Sequence, residues 1–275
     1  MARESILRET IEDIQRILGP TWDQVTLERV VFGLFFTGVK LSNGFGGVCY
    51  TPIKSLPEAV CCPSSARAMP ASGRMKGMAV TSVLDEMFAG NELKQTLGIA
   101  VVNALSNLCW SVQPPTDYRL IRDMDATDAV PLPDEAFVVL VGALIPCLQR
   151  LKKRARPYCV LEMDSRTLKP DELPFYAPAD QAPAKVPLAD ILVITGTTLI
   201  NNTLEDLLSL ARLDAKIVVV GPTASMLPQA FFRRNVEAIG GVRVTRPDDL
   251  LDMIGEAGSG YHFFGKSAEK TVACR

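Results

Sequence analysis

With 275 residues, 29 basic and 31 acidic side chains and a formal net charge of −2, the chain can bury a sizeable core as one large domain or two smaller ones. That charge balance excludes a nucleic acid held on a broad basic surface. Residues 1–14 carry charges throughout, unlike a signal peptide, and the longest apolar run, residues 136–148, is broken by Gly142 and Pro146 and falls short of the ~18 residues of a membrane span, so a cytosolic protein with no membrane partner is expected.

In chain order, Leu7, Ile11, Ile14 and Leu18 recur at helical spacing until Gly19-Pro20 stops them, which predicts an amphipathic first helix. Residues 27–41 and 47–51 are rich in Val, Phe and Thr and read as strands. Between them Ser42-Asn43-Gly44-Phe45-Gly46-Gly47 contains an Asn-Gly hairpin signal. Its extra glycines exceed what a tight turn needs and would let a backbone approach a ligand or a second unit, a purely structural turn being the alternative. Pro52, Pro57, Pro63 and Pro70 break residues 52–73. Two helical stretches follow, one through Val80, Leu84, Met87 and Phe88 to Gly90, the other through Leu93, Leu97, Val101, Leu105 and Leu108. Gly98 and Asn103 interrupt the second, which suggests close packing at the glycine and a hydrogen-bonding task, structural or ligand-facing, at the asparagine.

Residues 113–134 are polar and proline-rich and read as a linker between a unit of residues 1–130 and one of residues 131–275. Beyond it the pattern alternates strand and helix: a strand at 137–141, a helix opening at Pro146 and ending in the basic run Lys152-Lys-Arg-Ala-Arg156, and a strand at 158–161 followed by Glu162-Met-Asp164. Cations at a helix end complement its dipole. Residues 165–188, with prolines at 170, 174, 178, 183 and 187, form a long irregular connection suited to a flap or an interface. The runs Ile191-Leu-Val-Ile194 and Ile217-Val-Val-Val220 do not alternate, as parallel strands covered on both faces should not. A helix with Leu204, Leu207, Leu208 and Ala211 on one face joins them, with Asn202 and Glu205 placed as a capping box. Residues 242–244 read as a fifth strand and 247–254 as a short helix; the tail from Gly260 carries no clear pattern.

The two central strands end in Thr195-Gly196-Thr197-Thr198 and Gly221-Pro222-Thr223-Ala224-Ser225. Ligands of open α/β sheets sit outside the carboxyl ends of the strands, so two neighbouring hydroxyl-rich loops suggest a pocket for a small anion such as a carboxylate or phosphate. Each loop alone would serve equally as turn and cap chemistry. Gly142 and Glu162 have the spacing of a dinucleotide site, but Gly142-Ala-Leu-Ile-Pro146 lacks the second and third glycines of that fingerprint, so bound NAD is not expected. His262 is the one histidine, which rules out a His-rich metal site within one chain and makes a Ser-His-Asp triad depend on the unassigned tail. The seven cysteines, an odd number, fit reduced thiols. Cys49 with the adjacent Cys61-Cys62 is the candidate thiolate cluster, although free cysteine usually behaves as a small buried apolar residue.

Val39-Lys-Leu41 before the glycine turn, Gly98-Ile-Ala-Val-Val-Asn103-Ala-Leu105, Ile194-Thr-Gly-Thr-Thr-Leu-Ile-Asn201 and Val220-Gly-Pro-Thr223 together resemble the Putative heavy-metal chelation family of bacteria and archaea, over nearly the whole chain. The resemblance implies an α/β fold: a C-terminal Rossmann-like parallel sheet with helices on both faces, preceded by a smaller α+β domain like the enolase N-terminal domain. It implies a site in the cleft between them, closed by Asn43, Gly44, Gly46 and Gly47, and a role with a heavy metal or metal chelate linked to anaerobic cobalamin-type metabolism. The matching residues are glycines, threonines and asparagines, which suit the polar groups of a chelator better than a bare ion. The ligand set so expected is Asn43, Gly44, Gly46, Gly47, Asn103, Gly142, Thr195, Gly196, Thr197, Thr198, Gly221, Pro222, Thr223 and Ser225. Two rival readings stand beside it: an enzyme acting on a nucleotide or adenosylmethionine-like substrate, with Glu162 or Asp164 on a ribose, and an interaction subunit without a small ligand. Assembly as a homo-oligomer is left open.

Overall fold

The computed structural model of the chain describes residues 5–55, 71–154 and 156–275. Helix α1 (Ile6–Leu18) starts at Ser5, whose hydroxyl accepts from the Arg8 amide, and buries Ile6, Leu7, Ile14 and Leu18. Three antiparallel strands follow, β1 (Leu27–Phe32), β2 (Phe36–Leu41) and β3 (Gly46–Tyr50), in that spatial order. The β-rich run of residues 27–41 is thus a hairpin and not one strand. The Gly33 amide donates to the Phe36 carbonyl and turns the chain. Helix α2 (Val80–Glu86) and helix α3 (Glu92–Val112) come next. Asn91 caps α3 by accepting from the amides of Leu93 and Lys94, and α3 packs across β2 and β3.

The stretch read as a linker holds strand β4 (Arg119–Arg122) and the single turn α4 (Ala126–Ala129). After them come β5 (Val138–Val141), α5 (Ile145–Leu151), β6 (Tyr158–Glu162), β7 (Tyr176–Pro178), α6 (Ala182–Lys185), β8 (Ile191–Thr195), α7 (Leu204–Leu210), β9 (Lys216–Val220), α8 (Gln229–Phe232), β10 (Val236–Val244), α9 (Pro247–Gly255), α10 (Gly260–Phe263) and β11 (Ala268–Cys274). Strands β4 to β11 form one sheet in the order β4-β11-β10-β9-β8-β5-β6-β7. Because β4 pairs with β11 in this sheet, the change from one sheet to the other falls before residue 119 and not at 130. The unassigned tail supplies β11, which pairs along its whole length with residues 238–244 of β10.

From β10 to β7 all neighbours are parallel. The chain steps outward from β5 to β6 and β7, then returns to lay β8 on the other side of β5 and steps outward again to β9 and β10. Strand order therefore reverses between β5 and β8, which is where an open α/β sheet leaves a crevice at its carboxyl edge. Both faces of the sheet are covered. Val139, Leu192, Ile194 and Val219 join a core shared with Val39, Ala100 and Leu105 of the smaller unit, whereas Val138, Leu140, Val193 and Val218 pack with Leu148 and Leu151 of α5. The molecule is thus a large, mostly parallel sheet flanked by helices, with a smaller antiparallel sheet beside it. The expected capping box on α7 is not formed. Its cap is Thr203, Asn201 accepts from the Thr203 amide, and the Glu205 carboxylate instead accepts from the Ile6 amide at the start of α1, 2.9 Å away.

Candidate functional site

At the switch point the turn after β5 and the loop after β8 touch. Gly142 has φ +91, and a Cβ there would lie 2.8 Å from Cγ2 of Thr195, so only glycine lets the two loops meet in this way. One strand further on, Gly221 has φ +126 and faces the backbone of Gly196 with no close side chain between them. The hydroxyls of Thr195 and Thr197 lie 3.1 Å apart in a hydrogen bond with each other, and both residues are half-buried. Gly142, Thr195, Gly196, Thr197, Gly221 and Pro222 therefore share one corner of the sheet edge.

The remaining hydroxyls in these loops are engaged internally. Thr198 donates to the carbonyl of Thr195. Ser225 donates to the carbonyl of Pro222 and accepts from the Val242 amide. Thr223 accepts from the Tyr50 amide at 3.1 Å and from the Cys49 thiol. Asn103 is fully buried, and its side-chain nitrogen donates to the carbonyls of Val48, Pro222 and Thr223. These groups lock β3, α3 and the loop of residues 221–225 to one another. Gly46 and Gly47 serve the same seam: a Cβ on Gly47 would lie 2.1 Å from the Ala100 carbonyl oxygen of α3, and one on Gly46 would strike Val244 and Pro247.

The hairpin tip lies elsewhere. Asn43 and Gly44 are exposed and line a separate hollow of about 350 Å³ with Asn107, Arg243 and Thr245, past the far end of β10. What crosses the carboxyl edge is the segment leaving β3. Its Tyr50 amide meets Thr223, and four residues later the Lys54 ammonium reaches the Asp164 carboxylate just beyond β6, at 3.1 Å. Exposed Ile53, Ile145 and Met163 accompany that edge. Sequence reasoning passed over Lys54 and Tyr50, which nothing in the pattern distinguishes. Asn107 could have been found, since it repeats Asn103 one helical turn later in an apolar helix, and it holds the Gly46 carbonyl.

Beside Gly221 and Pro222 a cavity of about 190 Å³ opens between α4, the start of α5 and β10, walled by Leu144, Pro146, Val220 and Val242, with the Lys270–Asp125 ion pair at its margin. The acids proposed for a ribose are already engaged. The Glu162 carboxylate accepts from the amides of Ala143, Met163 and Asp164, filling the amide nest between β5 and β6 with the chain's own anion. Arg166 and then Lys54 hold the Asp164 carboxyl well below the usual carboxylate range.

A bare metal needs clustered donors. Among the described residues no group of three or more His, Cys, Asp or Glu side chains comes together. Burial pushes up the thiols of Cys49 and Cys159, and those of Cys109 and Cys147 to about 12, so they are protonated and poor ligands. Cys61 and Cys62 lie outside the described residues. His262 accepts from the Ser259 amide as part of the α10 cap. The described residues thus do not fit direct chelation of an ion. Nor is any helix among them long and apolar enough to cross a membrane.

Comparison with known proteins bears on both units. Two family models, each described as Putative heavy-metal chelation, match residues 125–273 and residues 15–106. An uncharacterised protein of Methanocaldococcus jannaschii is 29% identical over 184 residues, a match spanning 66% of this chain and 66% of that one. Among solved structures, a DUF364-family protein of unknown function from Pyrococcus horikoshii superposes with a TM-score of 0.75 at 18% identity, covering 98% of this chain and 99% of its own. Another of that family, from Desulfitobacterium hafniense, gives 0.72 at 17% identity with the same coverage. The chain belongs to this family, and the two structures share its fold.

Proposed function

We propose, with membership of that family as the premise, that the protein binds a small anionic ligand, a heavy metal already held by an organic chelator, at the carboxyl edge of the large sheet where the smaller unit crosses it. One observation carries this reading: among the described residues Thr195 and Thr197 are half-buried and bonded only within their own loop, between two glycine turns at the switch point, while the neighbouring hydroxyls are committed to the fold. Hydroxyls so placed can turn toward an incoming carboxylate or phosphate without breaking the scaffold. The adjoining cavity of about 190 Å³ is smaller than the ~300–1,000 Å³ of sites for drug-sized molecules, so the ligand's body is small and apolar. Its metal arrives with its own donors, in keeping with the absence of a side-chain cluster among the described residues.

The test is native mass spectrometry of protein purified without oxygen or added chelators, read with elemental analysis, on the wild type and on the Thr195→Val/Thr197→Val double variant. A stoichiometric adduct containing a transition metal, present in the wild type and absent from the variant, is the expected result. A bare wild-type mass, or an adduct the variant keeps, would overturn the proposal.

A further inference from the structure

The basic run at the end of α5 does more than complement a helix dipole. Arg154 turns inward until its side chain is only 8% exposed, and its Nη2 donates to the carbonyls of Pro133, Asp134 and Ala136. Nε and Nη1 of the same guanidinium are buried without a hydrogen-bond partner among the described residues; Asp134 is 3.9 Å from Nε, beyond hydrogen-bonding reach. Four residues on, Tyr158 is 5% exposed, its ring stacked on Phe175 at 4.1 Å between centroids, and its hydroxyl is also buried without a partner among the described residues. Burial raises the pKa of that hydroxyl, so it remains a donor at neutral pH. These residues line one hollow of about 400 Å³ together with Lys152, Arg156 and Asp171.

Buried donors left unpaired are costly, and native structures keep few of them. Here two residues hold such donors around one opening. Lys152 is paired with Asp171 and Glu172 at 2.7 and 2.6 Å, so that side keeps one net negative charge, and Arg154 and Arg156 form the positive wall opposite it. The hollow lies at the amino end of β6, across the sheet from Glu162 and Thr195, so it is distinct from the cleft above.

We infer that this hollow is a second binding site, for a phosphate group, free or carried on a small ester, received by Arg154, Arg156 and the Tyr158 hydroxyl with the Phe175–Tyr158 ring pair as an apolar shoulder. Tyr158→Phe removes the hydroxyl and keeps the stack, whereas Arg154 also braces three carbonyls and its replacement can unsettle the fold. Arg156→Ala is therefore the second variant. Isothermal titration with inorganic phosphate and with phenyl phosphate, at matched ionic strength, should give saturable binding that weakens about tenfold or more in Tyr158→Phe and in Arg156→Ala. Equal affinity for the two probes would identify free phosphate as the ligand; tighter phenyl phosphate would identify an ester. The inference is overturned by the absence of saturable binding of either probe, by binding that both site variants retain, or by binding lost in the Thr195→Val/Thr197→Val variant instead.

Discussion

The loop after β8 and the loop after β9 are nearly the same in composition, glycine with three hydroxyl or small residues at a strand end, yet the fold treats them oppositely. The loop of residues 221–225 is sealed. Tyr50, Asn103 and Val242 each spend a hydrogen bond on it, and Thr223, Ala224 and Ser225 are buried. The loop of residues 195–198 receives no hydrogen bond from the described residues of the smaller unit and satisfies itself, leaving Thr195 and Thr197 half-open. A hydroxyl at a strand end is therefore a structural fastener or a candidate ligand depending on whether a distant segment has already claimed it.

The most damaging way to break that contrast is at the seam that seals the second loop. Gly47→Ala would set a methyl group 2.1 Å from the Ala100 carbonyl oxygen and 2.5 Å from the Ala104 amide nitrogen, both backbone of a 21-residue helix that cannot yield locally. A loss of about 3 kcal/mol is expected in urea denaturation; a loss below about 0.5 kcal/mol would show that α3 does not fix the seam. Asn103→Ala is next. It strips the shared donor from three carbonyls but also removes Asn103 Oδ1, which has no partner among the described residues, so the net cost should be about 2 kcal/mol, with faster hydrogen exchange confined to β3 and residues 221–225.

A sharper comparison sets the two loops against each other with one substitution type. Thr223→Val keeps the shape and deletes the acceptor of the Tyr50 amide, so it should cost about 1–2 kcal/mol of stability. Thr195→Val with Thr197→Val removes a weak 3.4 Å cap and a mutual hydroxyl bond and should cost under about 1 kcal/mol while abolishing the adduct. Should the two variants exchange these phenotypes, the open loop would be the scaffold and the sealed one the site.

Much of this was readable from the chain. Non-alternating runs such as Ile191-Leu-Val-Ile194 announced parallel strands buried on both faces, and their carboxyl ends follow from topology. The edge strands were not legible. Arg119-Leu-Ile-Arg122 is short and charged at both ends, as an edge strand should be, and so reads as linker. Of β10 only residues 242–244 read as strand; at Gly240 and Gly241 glycine is required because a Cβ would meet Ala126 at 2.2 Å and the Ser225 hydroxyl at 2.5 Å. The hairpin tip at Asn43 and Gly44 was a correct turn, but its position past the end of β10 is set by packing against α9 and α3 that no local pattern records. Which hydroxyls are free is equally invisible, because Asn103 and Thr223 meet only through tertiary structure.

The smallest effect concerns the strap that crosses the open edge. Lys54 and Arg166 share the Asp164 carboxylate, whose pKa is held below its ordinary value chiefly by Arg166. A carboxylate whose folded pKa is depressed contributes stability above its unfolded pKa, about 3.9, and loses it as pH falls through the lower folded value. Thermal melts of the wild type and Asp164→Asn should differ by a small, constant interval from neutral pH down to about pH 4, and the interval should close below that. Added salt should narrow it at neutral pH, because Lys54 is 66% exposed and screened accordingly. An interval that widens on acidification would mean that Asp164 is stabilised as the neutral acid, and Thr223 would then be what holds the segment from Tyr50 to Lys54 at the sheet edge among the described residues.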